Sequence, residues 1–101
     1  MATQYQVKLH PDARSDLAGL DKSLQRQAAK QFRKLQHHPF AGKPLGHKYG
    51  IDLTGYHSLY FGDKRYRIVY RVDEASCIVW VIAIARRTGF EAHRLAARRV
   101  E

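Results

Sequence analysis

The sequence predicts an α+β domain: two N-terminal helices packed on a small, mostly antiparallel sheet, with a short C-terminal helix. Three observations lead there. An alternating apolar pattern opens the chain at Tyr5, Val7 and Leu9. A stripe of Leu24, Ala28, Phe32 and Leu35 recurs at helical spacing. The β-rich runs all lie in the second half, so strands and helices are segregated rather than alternating.

In order, Tyr5, Val7 and Leu9 alternate with polar neighbours and predict a first strand with one buried face. His10-Pro11-Asp12 breaks it, and Pro11 suits a first helical turn. Ala13, Leu17 and Leu20 continue at helical spacing until Gly19 and Asp21 interrupt, which predicts a helical hairpin. The second helix runs from Asp21 until Pro39 ends it. "HHPFAGKPLGHKYG" is a Gly/Pro-rich connection long enough to carry function. Ile51 to Leu53, His57 to Phe61 and Tyr66 to Val72 are β-rich, and "DEAS" suits a hairpin turn. "CIVWVIAIA" is apolar on both faces, as a central strand covered on both sides should be. Thr88 and Glu91 stand in capping-box register, so a last helix should begin near Gly89 and carry His93, Leu95 and Ala96. One core should hold Leu24, Phe32, Leu35, Ile68, Tyr70, Val79, Val81 and Ile82.

The 101 residues, 45% of them hydrophobic, suit a single domain spanning residues 1–101. Eighteen Lys and Arg against nine Asp and Glu give a net charge of +9, which favours a polyanionic partner. The lone Cys77 allows no internal disulfide, falls in an apolar strand pattern, and suits a reducing cytoplasm. No apolar run reaches the ~18 residues of a membrane span, and the N-terminus has no signal-peptide pattern, so no membrane association is expected.

The candidate chemistry is basic. Of Arg86 and Arg87, which end the apolar strand, only one can share a face with the inward residues. In "RYRIVYRV", Arg65, Arg67, Val69 and Arg71 share one face, which suits a polyanion better than a core. His93 follows the arginines closely, and an imidazole beside phosphate-binding cations can move a proton near neutral pH. His57 is a possible second proton-transfer group. His37-His38 and His47 do not converge on one metal, no Cys or carboxylate cluster has ligand spacing, and no P-loop, GxGxxG or Gly-x-Ser-x-Gly is present. Arginines, tyrosines and histidines without cofactor or metal suit RNA cleavage by the 2′-hydroxyl, which needs proton transfer at two oxygens and cations around the phosphoryl group.

The chain resembles the RelE/ParE superfamily of bacterial toxin–antitoxin toxins along nearly its whole length. The resemblance covers "YQVKLHPDARSDLAGL", the amphipathic second helix and "GKPL…G". It is strongest in "RYRIVYRVDEASCIVWVIAIARR", which is similar to the family's "YRxxY…V.VxxVxxR" core. It implies the α+β fold above and a toxin held inactive by a cognate antitoxin. The RelE branch implies a ribosome-dependent endoribonuclease acting on mRNA; the ParE branch implies a non-enzymatic inhibitor of DNA gyrase. By resemblance, Arg67 contacts the scissile phosphate, Arg87 is the catalytic arginine closing the last strand, and His93 takes the place of a C-terminal catalytic tyrosine. RelE's two strand lysines are replaced by Ser58 and Tyr60, with Lys64 and Arg65 nearby in another register. The expected catalytic set is therefore Arg67, Arg87, His93, His57 and Tyr60. Lys43, Lys48, Lys64, Arg65, Arg71 and Arg86 are expected to bind RNA phosphates.

Overall fold

The computed structural model describes residues 4–48, 50–88 and 91–99. Strand β1 (Gln6–Leu9) leads into helices α1 (Pro11–Ala18) and α2 (Lys22–His37). Three two-residue strands follow: β2 (Lys43–Pro44), β3 (His47–Lys48) and β4 (Ile51–Asp52). Then come β5 (Tyr56–Phe61), β6 (Tyr66–Asp73), β7 (Ile78–Arg86) and α3 (Glu91–Arg99). Five strands form one sheet in the order β1-β7-β6-β5-β2, antiparallel except where β1 runs parallel to β7. The expected α+β class and mostly antiparallel sheet are present. The 51–53 run is not part of that sheet, because β4 pairs with β3 in a separate hairpin. The expected start of the last helix at Gly89 lies outside the described residues.

Local chemistry sets the helix ends. The His10 imidazole accepts the Asp12 amide proton at 3.1 Å ahead of Pro11, and Asp21 accepts that of Leu24 at 2.9 Å. The Gln25 side chain donates to the Leu17 and Leu20 carbonyls at 3.2 and 3.0 Å, filling acceptors left open at the end of α1. Both helices cover one sheet face, burying Ala13, Ala28 and Leu35 with Phe61, Ile68, Tyr70, Val79, Val81 and Ile84. Leu24 and Phe32 only flank this core.

A second core fills the other sheet face, where α3 and the chain around Leu53 enclose Val69, Ile82, Ala83, Ala85, Ala92 and Ala96. Ile82 therefore belongs to a different core from Val79 and Val81. Small residues on both partners (Ala83 and Ala85 against Ala92 and Ala96) let α3 lie close to the strand. Cys77 is not in the strand: it occupies the turn before it, with a left-handed φ of 55°.

The decisive irregularity is a β-bulge in β7. Val69 pairs with Ala83 but Tyr70 pairs with Val81, so Ile82 is an extra residue. Strict alternation from Val79 and Val81 would put residue 87 on the α1/α2 face. The bulge reverses the phase, so Arg86 shares the α1/α2 face with its cross-strand partner Tyr66, and Arg87 passes to the α3 face.

Side chains satisfy the backbone groups that the bulge turns outward. The last β1–β7 link runs from the His10 amide to the Val81 carbonyl at 2.8 Å. Beyond it, Asp16 of α1 accepts the Ile84 amide proton at 3.0 Å, and Arg99 of α3 donates to the Ile82 carbonyl at 2.9 Å. Asp16 and Arg99 also join each other through two parallel bonds of 2.7 and 3.1 Å. Elements from opposite faces of the sheet thus meet around its edge.

Candidate functional site

Tyr60 on β5 and Arg67 on β6 are direct cross-strand partners on the α3 face, and Arg67 lies opposite Ala85 of β7. Ala85 leaves room above the sheet for a long side chain. The Arg67 guanidinium uses that room, with Nη2 donating to the Tyr60 hydroxyl at 2.9 Å. Its Nη1 lies 3.0 Å from Nδ1 of His93, in the first turns of α3. Guanidinium nitrogens only donate, so the contacting imidazole nitrogen accepts. The Nε of Arg67 is buried and makes no hydrogen bond.

Arg87 enters from the end of β7. Its amide donates to the Arg65 carbonyl at 2.8 Å, fixing the backbone, and its guanidinium lies 5.5 Å from the centre of the Tyr60 ring. The Arg67 guanidinium lies 5.1 Å from the same centre. Both cations thus meet one aromatic ring. The hydrogen bond from Arg67 holds the Tyr60 hydroxyl below the ordinary phenol range, and the charges of Arg67, Arg87 and Lys43 act in the same direction against burial. Lys43, paired with Ser58 on β2, therefore belongs to the same electropositive field.

Among the described residues, the ion pairs involve only His10, Asp12, Asp16 and Arg99. The guanidinium groups of Arg67 and Arg87 share a ring, and among the described residues no carboxylate lies within 4.0 Å of either. Among the described residues, no group of three His, Cys, Asp or Glu could hold a metal ion.

The other expected residues do not converge here. His57 lies on the opposite face, stacked on Tyr70 at 5.5 Å with Phe40 at 5.6 Å edge-on. Its Nδ1 is buried without a partner, and burial lowers its proton affinity. Arg65 precedes β6, so "RYRIVYRV" does not present three arginines as one strip. Arg71 sits at the other end of the strand, 6.0 Å from the centre of Trp80, whose ring Lys8 also approaches at 5.8 Å. Val69 between Arg67 and Arg71 is buried in the α3 core. Lys64, Arg65 and Arg86 line a cavity at the start of α2. The Lys48 side chain is outside the described set.

Asp16 and Arg99 escape the sequence reading. They touch no candidate ligand position, but they hold the bulge that sends Arg87 to this face. The only trace of Asp16 in the sequence is an acidic residue one turn after Asp12 on a helix that otherwise packs against the sheet.

Residues 7–89 match the family model of the ParE toxin of the type II toxin–antitoxin system parDE. The chain belongs to the RelE/ParE toxin superfamily. A RelE-like toxin protein of Escherichia coli is 31% identical over 100 residues, covering 96% of this chain and 98% of the relative. The ParE match ends before α3. Among solved structures, a mutant of the E. coli toxin RelE in the free state has a TM-score of 0.76 at 20% identity. It covers 97% of this chain and 99% of that one, and it shows the shared fold. The Mycobacterium tuberculosis RelBE2 toxin–antitoxin complex gives a TM-score of 0.72 at 28% identity, covering 86% and 95%. The RelE/ParE fold thus accounts for the sheet and both helical layers.

Proposed function

We propose that this toxin is a ribosome-dependent endoribonuclease that arrests translation by cutting messenger RNA, and that a cognate antitoxin restrains it. The observation that carries the reading is the convergence of Arg67, Arg87, Tyr60 and His93 on one sheet face.

Cleavage would proceed by attack of a ribose 2′-hydroxyl oxygen on the adjacent phosphorus. A new P–O bond closes a 2′,3′-cyclic phosphate while the bond to the 5′-oxygen breaks. The 2′-hydroxyl gives up a proton and the departing 5′-oxygen receives one. Arg87 and Arg67 offset the charge building on the phosphoryl oxygens, and Arg67 holds Tyr60 and His93 around that phosphate. The imidazole of His93 and the acidified hydroxyl of Tyr60 are the two groups placed to move protons. These steps need no metal. The +9 charge favours an RNA-rich partner such as the ribosome, and the solved RelBE2 complex supports an antitoxin as the protein partner.

Two observations favour inhibition of DNA gyrase as a second reading: the family model that matches is a ParE model, and Ser58 and Tyr60 stand where RelE has lysines. Expression without antitoxin separates the two. The ribonuclease reading expects translation arrest with mRNA cut at codon boundaries, lost in Arg67→Ala and Arg87→Ala variants that remain folded. Filamentation and a DNA-damage response with intact mRNA would overturn it in favour of gyrase.

A further inference from the structure

On the back of the sheet, the first turns of α2, the β5–β6 turn and the end of β7 enclose a cavity of about 840 Å³. Its walls carry Lys64, Arg65, Arg86 and Arg87, with Ser23, Gln27 and Thr88 as neutral hydrogen-bonding groups. Asp21 and Asp63 also reach the cavity, yet among the described residues neither lies within 4.0 Å of a basic group. Asp21 is already engaged, since its carboxylate caps α2 through the Leu24 amide.

The contrast with Arg99 is informative. That arginine is largely buried, its side chain 13% exposed, and two carboxylates surround it, Asp16 at 2.7 Å and Asp12 at 3.6 Å, whereas Lys64, Arg65, Arg86 and Arg87 are exposed. Four exposed cations around one cavity, with no such partner among the described residues, repel one another through water's screening, and an incoming anion relieves that repulsion. The four cations are exposed, but two features fix where Arg86 and Lys64 stand. Arg86 lies 5.8 Å from the centre of the Tyr66 ring, which itself stacks on Phe61 at 5.3 Å. Lys64 sits in a turn with left-handed φ at Gly62, Asp63 and Lys64. At Gly62 a Cβ would come within 2.9 Å of Leu24, so the turn is pressed tightly onto α2.

We infer that this cavity is a second phosphate-binding site, taking the RNA backbone next to the segment held on the α3 face, with Arg86 as its anchoring cation. The inference rests on the ribonuclease reading for the identity of the polyanion. Arg86 and Arg87 are consecutive, and the bulge aims them to opposite sides of the sheet, with Arg87 lining the mouth of both sites. A strand whose phosphate lies between Arg67 and Arg87 can therefore turn over the end of β7 and place a neighbouring phosphate against Arg86 and Lys64. Phosphate contacts of this kind fix register without reading sequence.

The test uses the full chain and a short, fully 2′-O-methylated RNA oligonucleotide, which cannot be cleaved by 2′-hydroxyl attack. NMR would follow the amides of Gly62, Lys64, Arg65 and Thr88 for the cavity, and the rings of Tyr60 and His93 for the α3 face. Both groups of signals should shift. In Arg86→Gln the cavity shifts should vanish while those of Tyr60 and His93 persist. The slope of log affinity against log salt should fall by about 0.7 for the lost contact. Lys64→Asn, which tolerates the left-handed backbone, should act in the same direction. Cavity signals that stay still at saturation, or an Arg86→Gln variant with wild-type affinity and salt slope, would overturn the inference. Cavity shifts together with a failure to cleave ribosome-bound mRNA would uphold the phosphate site and sink the ribonuclease reading instead.

Discussion

Removing Arg99 should cost far more than its place near the end of a short helix suggests. Arg99→Met keeps the aliphatic stem but loses three hydrogen bonds, at 2.7 and 3.1 Å to Asp16 and 2.9 Å to the Ile82 carbonyl. The Arg99 and Asp16 side chains are only 13% and 17% exposed, so water can replace little of what is lost. Breaking one side of such a pair costs roughly 3–5 kcal/mol. A domain of this size should then melt roughly 12 °C lower or more, at about 4–8 °C per kcal/mol. Asp16→Asn should also destabilise, but less, because an amide oxygen can still accept the Ile84 proton. The double variant Asp16→Leu/Arg99→Met leaves no lone charge, so its loss should fall short of the sum of Asp16→Leu and Arg99→Met by at least about 1 kcal/mol. Urea unfolding of the four proteins measures this, and hydrogen exchange at the Ile84 amide reports the bulge directly. Additive losses below about 1 kcal/mol each, with unchanged exchange at Ile84, would refute the claim that this pair holds the bulge.

Three more expectations follow from particular contacts. His93→Gln should lower single-turnover cleavage by roughly 10²–10⁴-fold with little change in ribosome binding if the imidazole moves a proton; a fall in thermal midpoint with cleavage preserved would leave it a packing role only. Gly42→Ala should destabilise by about 1–3 kcal/mol, read by urea unfolding, because a Cβ would meet the Tyr70 hydroxyl at 2.5 Å and the Ser58 carbonyl at 2.7 Å. Burial lowers the proton affinity of His57, so the folded state favours its neutral form. Stability should be full above the ordinary histidine range near 6.5 and fall as pH drops through and below it, because the unfolded chain takes up that proton first. His57→Phe should flatten this acid limb relative to the parent; an identical limb would remove His57 as its cause.

The strongly periodic parts of the fold are legible in the sequence. The stripe from Leu24 to Leu35 specifies α2, and the alternation in "RYRIVYRV" separates Ile68 and Tyr70 from Arg67 and Arg71. The doubly apolar "IVWVIAIA" correctly predicts a strand covered on both faces. That same uniformity hides the bulge: where every residue is apolar, period-2 alternation leaves no mark, and one extra residue cannot be seen. Ile82 is therefore assigned to the wrong core, and the facing of Arg86 and Arg87 stays open until the strand is paired. His57 falls on the face opposite Arg67 for a different reason. The sequence of β5 does not say which face Tyr60 and Arg67 share, and odd and even positions of that strand point opposite ways. The site depends on long-range pairings, Tyr60 with Arg67 and Asp16 with Arg99, whose spacing along the chain carries no periodic signal.

The most direct test of the central claim is single-turnover cleavage of a ribosome-bound mRNA by the purified toxin, with the scissile nucleotide carrying either a ribose or a 2′-deoxyribose. The account expects the ribose substrate to yield a 2′,3′-cyclic phosphate and a 5′-hydroxyl end. It expects the 2′-deoxy substrate to bind equally and remain intact, and Arg87→Ala to leave both intact. Equal cleavage of the two substrates, or no cleavage of either by the unmutated protein while gyrase is inhibited, would contradict it.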